Sequence, residues 1–260
     1  MKKYLLIIVL LILASCDCQK KEPESRAISE HAQTMAALYN YYADEYAALC
    51  YQAYNLAMER VDDIRTGNPD TDKLAIVVDI DETLLDNSPH QALMIKTDSS
   101  YPYMWREWCD MAAARPVPGA VEFLQYADKK GFTIFYVSNR KVAGEQKGSM
   151  ENLSKLGFPQ VTGENFLLKT ETSDKQPRRD QITGRGYEIV LLVGDNLGDF
   201  YTDEDTQPIR REQMSAYRAE FGKRFIVLPN PMYGNWPGSI GIKDAASMES
   251  LLLRMTKSFK

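Results

Sequence analysis

Four short runs of consecutive apolar residues mark the middle and C-terminal half of the chain: Leu74–Val78, Phe132–Val137, Ile189–Val193 and Phe225–Leu228. Apolar side chains on successive rather than alternate positions suit strands buried on both faces of a parallel sheet. Between the runs the pattern turns helical, over Val121–Lys130, Gly144–Leu156 and about Arg211–Phe221. Strands alternating with helices predict an α/β domain with a parallel sheet and flanking helices. Upstream, Ala27 to Arg65 hold neither Pro nor Gly, and Met35, Leu38, Tyr42, Tyr46, Leu49 and Ala53 recur at helical spacing. This stretch predicts one long helix or two, ending before Gly67-Asn68-Pro69 and forming a smaller helical subdomain. Its aromatic stripe (Tyr39, Tyr41, Tyr42, Tyr46, Tyr51, Tyr54) reads as a packing surface rather than a ligand surface.

The first residues follow a different pattern. Lys2 and Lys3 precede an apolar run from Tyr4 to Ala14. About twenty apolar residues are needed to span a bilayer, so this short run reads as the core of a signal peptide. It ends in Leu13-Ala14-Ser15-Cys16, which resembles a bacterial lipobox and implies cleavage before Cys16 and lipidation of its thiol. The expected organisation is a signal peptide over 1–15, a lipidated polar tether over 16–26, a helical segment over 27–68 and the α/β domain over 69–260. The mature protein is expected outside the cytoplasm, tethered to a bacterial outer membrane by lipid alone. Cys50 and Cys109 are expected to be buried and free, since two cysteines do not make a disulfide scaffold for a domain this large.

Composition removes whole classes of function. With 44% hydrophobic and 26% charged residues, the 260-residue chain is an ordinary globular protein. Its net charge of −5 argues against nucleic-acid polymers as partners. Only His31 and His90 are available, so multi-histidine metal sites and phosphohistidine chemistry are excluded.

In open parallel sheets, chemistry collects at the carboxyl ends of the strands. There the chain places Asp79-Ile80-Asp81-Glu82-Thr83, Ser138-Asn139-Arg140, Lys169 after Phe166-Leu167-Leu168, and Gly194-Asp195-Asn196-Leu197-Gly198-Asp199-Phe200. Turn-forming and capping roles explain one such cluster readily but not four. A carboxylate at a strand tip, Asp79, suits a nucleophile that takes up a phosphoryl group. Asp81, two residues on, suits a general acid and then base. With Asp195 and Asp199 in the same crevice, the negative charges call for a cation, and all-oxygen ligands select Mg²⁺. Lys169 and the Ser138 hydroxyl would hold the phosphoryl oxygens.

The order Asp-x-Asp-x-Thr, Ser, Lys, Gly-Asp-x-x-x-Asp resembles the haloacid dehalogenase superfamily, with its Rossmann-like fold. Asp79 to Ser88, Val193 to Phe200, Val117 to Phe123, Phe135 to Arg140, Leu228-Pro229-Asn230 and Tyr233 to Trp236 are similar to the bacterial class C acid phosphatases, which are surface lipoproteins. The resemblance implies Asp79 as nucleophile and Mg²⁺ ligand, Asp81 as acid/base with its backbone carbonyl a second ligand, and Asp195 as third ligand. Asp199 would orient Lys169 or a metal-bound water. Substrate binding falls to Asn139, Arg140, Trp105, Trp108 and Tyr233, whose aromatic rings would stack on nucleobases or aryl groups. Small phosphomonoesters, nucleoside monophosphates among them, are the implied substrates, and members of the family often form homodimers. Pro237 departs from the pattern, which has an acidic residue after Trp236.

Two rival functions share these residues: a phosphotransferase that passes the phosphoryl group to an alcohol, and a non-enzymatic surface or storage protein on the same scaffold. Storage relatives lack the nucleophilic Asp, which this chain keeps. Cys109 to Arg115 matches a Cys-x₅-Arg phosphatase pattern, but its intervening residues are helix formers with no Gly to wrap a phosphate.

Overall fold

The structure, a computed structural model, describes residues 24–67, 73–201 and 207–259. The expected signal peptide, Cys16 and the tether up to residue 23 lie outside the described residues. The chain opens with α1 (Glu24–Tyr42) and α2 (Asp44–Gly67), then β1 (Leu74–Val78), β2 (Leu85–Asp86), α3 (Ser88–Lys96), α4 (Trp105–Met111) and β3 (Arg115–Pro116). It continues through α5 (Ala120–Lys129), β4 (Thr133–Lys141), α6 (Val142–Lys155), β5 (Phe166–Lys169), α7 (Gln176–Gly184) and β6 (Glu188–Gly194). It ends with α8 (Gln207–Ala216), β7 (Phe225–Val227), α9 (Trp236–Ser239) and α10 (Ala245–Met255).

Five strands form a parallel sheet in the order β5-β4-β1-β6-β7. The consecutive apolar run of β1 is explained by this central place. Ile76 and Val78 pack with Tyr54, Phe123 and Ile134 on one face, while Ala75 and Val77 pack with Phe135, Ile182 and Leu192 on the other. From β1 the chain winds outward through β4 and β5, then returns to build β6 and β7 on the opposite side. The strand order therefore reverses beside the carboxyl end of β1, where a crevice opens in folds of this kind.

Three expectations need correction. The N-terminal helices are not a separate subdomain: Tyr46, Cys50, Tyr54, Ala57 and Val61 of α2 belong to the same buried cluster as β1 and β4. Of the residues at helical spacing, Tyr46 is buried and Ala53 packs against the core, whereas Met35, Leu38, Tyr42 and Leu49 are exposed. Of the aromatic stripe, Tyr46 and Tyr54 are core and Tyr51 is exposed. Second, β4 runs on through Ser138, Asn139 and Arg140, so that triplet rides on the strand and alternates buried, exposed, buried. Third, the helix expected over Arg211–Phe221 ends at Ala216, and one tight turn, Arg218–Glu220, follows.

Cys50 and Cys109 are buried free thiols, as expected, and burial pushes them up to about 11 and about 12 respectively. Cys109 lies inside α4, and Arg115 pairs with Asp86 at 2.7 Å, so the Cys-x₅-Arg spacing forms no phosphate loop. Among the described residues no helix is long and apolar enough to cross a membrane.

Close packing of α4 on α6 depends on Gly148. A Cβ there would lie 2.1 Å from the backbone oxygen of Cys109. Gly148→Ala should therefore force the helices apart and destabilise the protein by about 1–3 kcal/mol. An unchanged urea unfolding midpoint would show that the helix pair yields freely.

Candidate active site

The crevice at the end of β1 is built by neighbouring backbone before any side chain enters it. Asp79 follows β1 directly, and its amide donates to the Val193 carbonyl of β6 at 3.0 Å. The loop then closes on itself, with the amides of Leu84 and Leu85 both donating to the Ile80 carbonyl at 2.9 Å. Glu82 adopts a left-handed backbone (φ 54°), which turns the loop. Its buried carboxylate accepts from the Asn87 amide at 2.7 Å and from Asn87 Nδ2 at 3.1 Å. Beneath the loop, the Tyr54 hydroxyl of α2 donates to the Thr83 carbonyl.

From β6 come Asp195 and a short turn, Leu197–Asp199. Asn196 and Asp199 cap that turn reciprocally: Asn196 Oδ1 accepts from the Gly198 amide at 3.1 Å, and Asp199 Oδ2 from the Asn196 amide at 2.9 Å. The turn folds Asp199 back over Gly194, where a Cβ would meet Asp199 Oδ2 at 2.2 Å. Only glycine fits there. Asp195 Oδ2 accepts from Asn230 Nδ2 at 2.7 Å. Carboxylate oxygens of Asp79, Asp195 and Asp199 consequently lie within 4.8 Å of one another.

The cation among these carboxylates is Lys175, not Lys169. Lys175 Nζ donates to Asp79 Oδ1 and, at 2.6 Å, to Asp199 Oδ1. Lys169 ends the edge strand β5 and lines the neighbouring cavity with Asp81 rather than the one that holds these carboxylates. Its ammonium instead donates to Ser173 Oγ at 2.7 Å. Lys175 arrives from the turn entering α7, whose Pro177 marks the helix start.

Burial sets the electrostatics. It pushes the Asp79 carboxyl up to about 7; Lys175 pulls the other way, and the charges of Asp199 and Asp81 add to the rise. Asp195 is raised well above the carboxylate range by burial, with Asp199 and Asp79 adding to it. Burial alone would lower Lys175, but the charges of Asp199 and Asp79 outweigh it and hold the ammonium protonated. One ammonium thus faces three carboxylates, two of them buried. The donor set is all oxygen, and among the described residues Asp195 keeps one oxygen that accepts from no side chain. These features suit a hard divalent cation.

Other expected residues separate. Ser138 is buried, with its hydroxyl 3.4 Å from Asp81 Oδ2. Asn139 is exposed in the crevice, and its Oδ1 accepts from Arg178 at 2.7 Å. Asp81 does not bring its carboxylate to the Asp79–Asp195–Asp199 group but turns it to Arg140, at 2.7 Å. Arg140 lines the cavity beside Asp81, and all three of its guanidinium nitrogens are engaged, by Asp81, Ser149 and Asn87. Trp108 packs on the core, and its indole N–H donates to Asn87 Oδ1 at 2.8 Å.

Asp79, Asp81, Asp195 and Lys175 line a cavity of about 540 Å³. A second cavity of about 400 Å³ adjoins it, sharing Asp81, Asn139 and Tyr233 and walled by Met94, Tyr101 and Trp105. An acidic, lysine-bridged pocket opening into an aromatic one suits a small ligand with an anionic head and an apolar body.

A family model described as HAD superfamily, subfamily IIIB (acid phosphatase) matches residues 10–236. The chain belongs to this family. It is also similar to the solved class C acid phosphatase from Bacillus anthracis, with a TM-score of 0.78 and 38% identity, covering 86% of this chain and 96% of that one. The same enzyme with tungstate bound gives a TM-score of 0.78 and 38% identity over 85% and 94% of the two chains. Among plant proteins, acid phosphatase 1 of Solanum lycopersicum is 27% identical over 167 residues, 60% of this chain and 57% of its own length. A stem 28 kDa glycoprotein of Glycine max is 27% identical over 173 residues, 62% and 60% respectively. The chain thus spans less than two thirds of these two plant relatives.

If Lys175 is the anchoring cation, Lys175→Ala should lower p-nitrophenyl phosphate turnover by about a hundredfold or more. Lys169→Ala should stay within about threefold of wild type. The reverse ranking would restore the spacing-based assignment.

Proposed function

We propose that this subfamily IIIB protein hydrolyses small phosphomonoesters, nucleoside monophosphates and aryl phosphates among them, through a phosphoryl group carried on Asp79. The observation that carries the reading is the Lys175 bridge between Asp79 and Asp199 beside Asp195, at the mouth of an aromatic pocket. Tungstate, named with the Bacillus anthracis enzyme, is a tetrahedral oxyanion of phosphate shape, which fits the same reading.

Lys175 holds Asp79 Oδ1, leaving Oδ2 to attack phosphorus. As the Oδ2–P bond forms, the P–O bond to the leaving group breaks, and Asp81 gives its proton to the departing oxygen. Water then attacks the phosphoryl group, Asp81 takes the water's proton, and phosphate departs with Asp79 restored. Ser138 and Lys175 supply donors for the phosphoryl oxygens. Asp79 and Asp195 would hold the divalent cation, Mg²⁺ in our reading, which when bound neutralises carboxylate and phosphoryl charge. In this reading Trp105 and Tyr233, which line the aromatic cavity, meet the leaving group. An alcohol that replaces water in the second step would give phosphotransfer. A storage protein has no need of the buried Lys175–carboxylate set, which is costly to maintain without a ligand.

Asp79→Asn should lower turnover by several orders of magnitude with the unfolding midpoint preserved. Retention of more than about a tenth of wild-type rate would remove Asp79 from the nucleophile role. Mg²⁺ should raise the melting temperature of the wild-type protein and do so much less in Asp195→Asn. Full activity after exhaustive chelation would contradict the metal reading. We also assign lipidation to Cys16, placing the protein outside the cytoplasm: Cys16→Ser should move it from the detergent to the aqueous phase on Triton X-114 partition, and an unchanged distribution would dismiss the anchor.

A further inference from the structure

The Asp81 carboxylate is held more tightly than a freely swinging acid requires. Its Oδ1 accepts three N–H donors: Arg140 Nη2 at 2.7 Å, Asn87 Nδ2 at 2.9 Å and Arg140 Nε at 3.0 Å. Among the described residues its Oδ2 has only the Ser138 hydroxyl, at 3.4 Å. The two oxygens are therefore unequal. One is saturated, and the other is left to exchange a proton.

The donors are themselves fixed from behind. Arg140 is buried, its Nη1 donates to Ser149 Oγ at 2.8 Å, and its guanidinium lies 5.2 Å from the centroid of the Trp105 ring. Asn87 is buried too, and its amide could face either way on its own. Trp108 and Arg140 decide the matter together, because an indole N–H and a guanidinium can only donate, and Arg140 Nη2 also reaches Asn87 Oδ1 at 3.3 Å. By donating to Asn87 Oδ1, Trp108 at 2.8 Å, they claim the oxygen end, which turns Nδ2 toward Asp81 and Glu82. The chain of cause runs from Trp108 through Asn87, and from Ser149 through Arg140, to one carboxylate oxygen.

We propose that Arg140, Asn87 and Trp108 form a clamp that fixes Asp81 by Oδ1 and presents Oδ2 as its proton-carrying oxygen. They are positioning residues for the proton transfer to the leaving group. The inference rests on the reading of Asp81 as general acid, and adds which oxygen acts and what aims it. It also gives Arg140 and Trp108 a task beyond substrate binding.

The test uses the full chain supplied with Mg²⁺ and single-turnover rates, so that chemistry is observed. Trp108→Phe keeps an aromatic ring but removes an N–H that orients Asn87; Arg140→Lys keeps the charge but replaces the planar fork by a single ammonium. Each should slow an alkyl ester, adenosine 5′-monophosphate, by about tenfold or more, because its leaving oxygen needs the proton. p-Nitrophenyl phosphate, whose leaving group departs as the anion, should slow by less than about twofold, with KM for both esters nearly unchanged. Should Arg140→Lys fail to fold, Trp108→Phe alone decides. Equal losses on both esters, or losses confined to KM, would overturn the clamp. Asp81→Asn separates the two layers: an equal loss on both esters there would overturn the general-acid reading and the clamp with it. A strong alkyl-ester loss in Asp81→Asn, beside equal losses in the clamp variants, would overturn the clamp alone.

Discussion

Lys175 stands between two buried carboxylates, donating to Asp79 and Asp199, with Asp195 close by. Buried charges of one sign cannot be gathered without compensation, and removing one partner of such a pair costs about 3–5 kcal/mol. The rest of the site can be read as what is needed to bring this lysine and these acids together. β1 and β6 supply Asp79 and Asp195 from adjacent strand ends, the capped turn folds Asp199 back over Gly194, and the turn into α7 delivers the ammonium. The excess of carboxylate over ammonium is the physical reason the site suits a divalent cation.

Around this centre the outer elements act as supports. α2 covers one face of the sheet and reaches the loop after Asp79 through Tyr54. Arg115 pairs with Asp86, lies 3.8 Å from the centroid of the Tyr41 ring, and donates to the Tyr41 carbonyl at 2.6 Å, joining α1 to the segment that leads into α3. The helices after β1 wall the aromatic cavity, with Met94 from α3 and Trp105 from α4. His90 fixes that wall: its Nε2 lies 2.8 Å from the Tyr103 carbonyl and its ring meets Trp105 edge-on at 5.1 Å.

The strands were legible because a centrally buried strand must be apolar on both faces, as Leu74–Val78 is. The acids were legible because a polar cluster directly after such a run has no packing role to fill. Helices α3 and α7 escaped for the converse reason. Their inward faces carry Ser88, His90 and Gln91, or Arg178 and Arg179, so no apolar period announces them. Lys169 stands out in the sequence because it follows an apolar run; Lys175, which the entry to α7 brings among the carboxylates, does not. The Asp174-Lys175-Gln176-Pro177 stretch held the overlooked signal, a proline at a helix start. The engagement of Arg140 and Trp108 with Asp81 and Asn87 was not legible, because sequence shows a side chain's chemistry but not which of its donors are already engaged.

In the proposed reaction one atom, Asp79 Oδ2, which Lys175 leaves open, makes the attack. Its role can be tested by quenching the protein during turnover of p-nitrophenyl phosphate and reducing it with borohydride, which converts an acyl phosphate on aspartate to homoserine. Peptide mass spectrometry should then find homoserine at position 79, dependent on substrate and on Mg²⁺. Homoserine at another aspartate, or none during sustained turnover, would contradict the account.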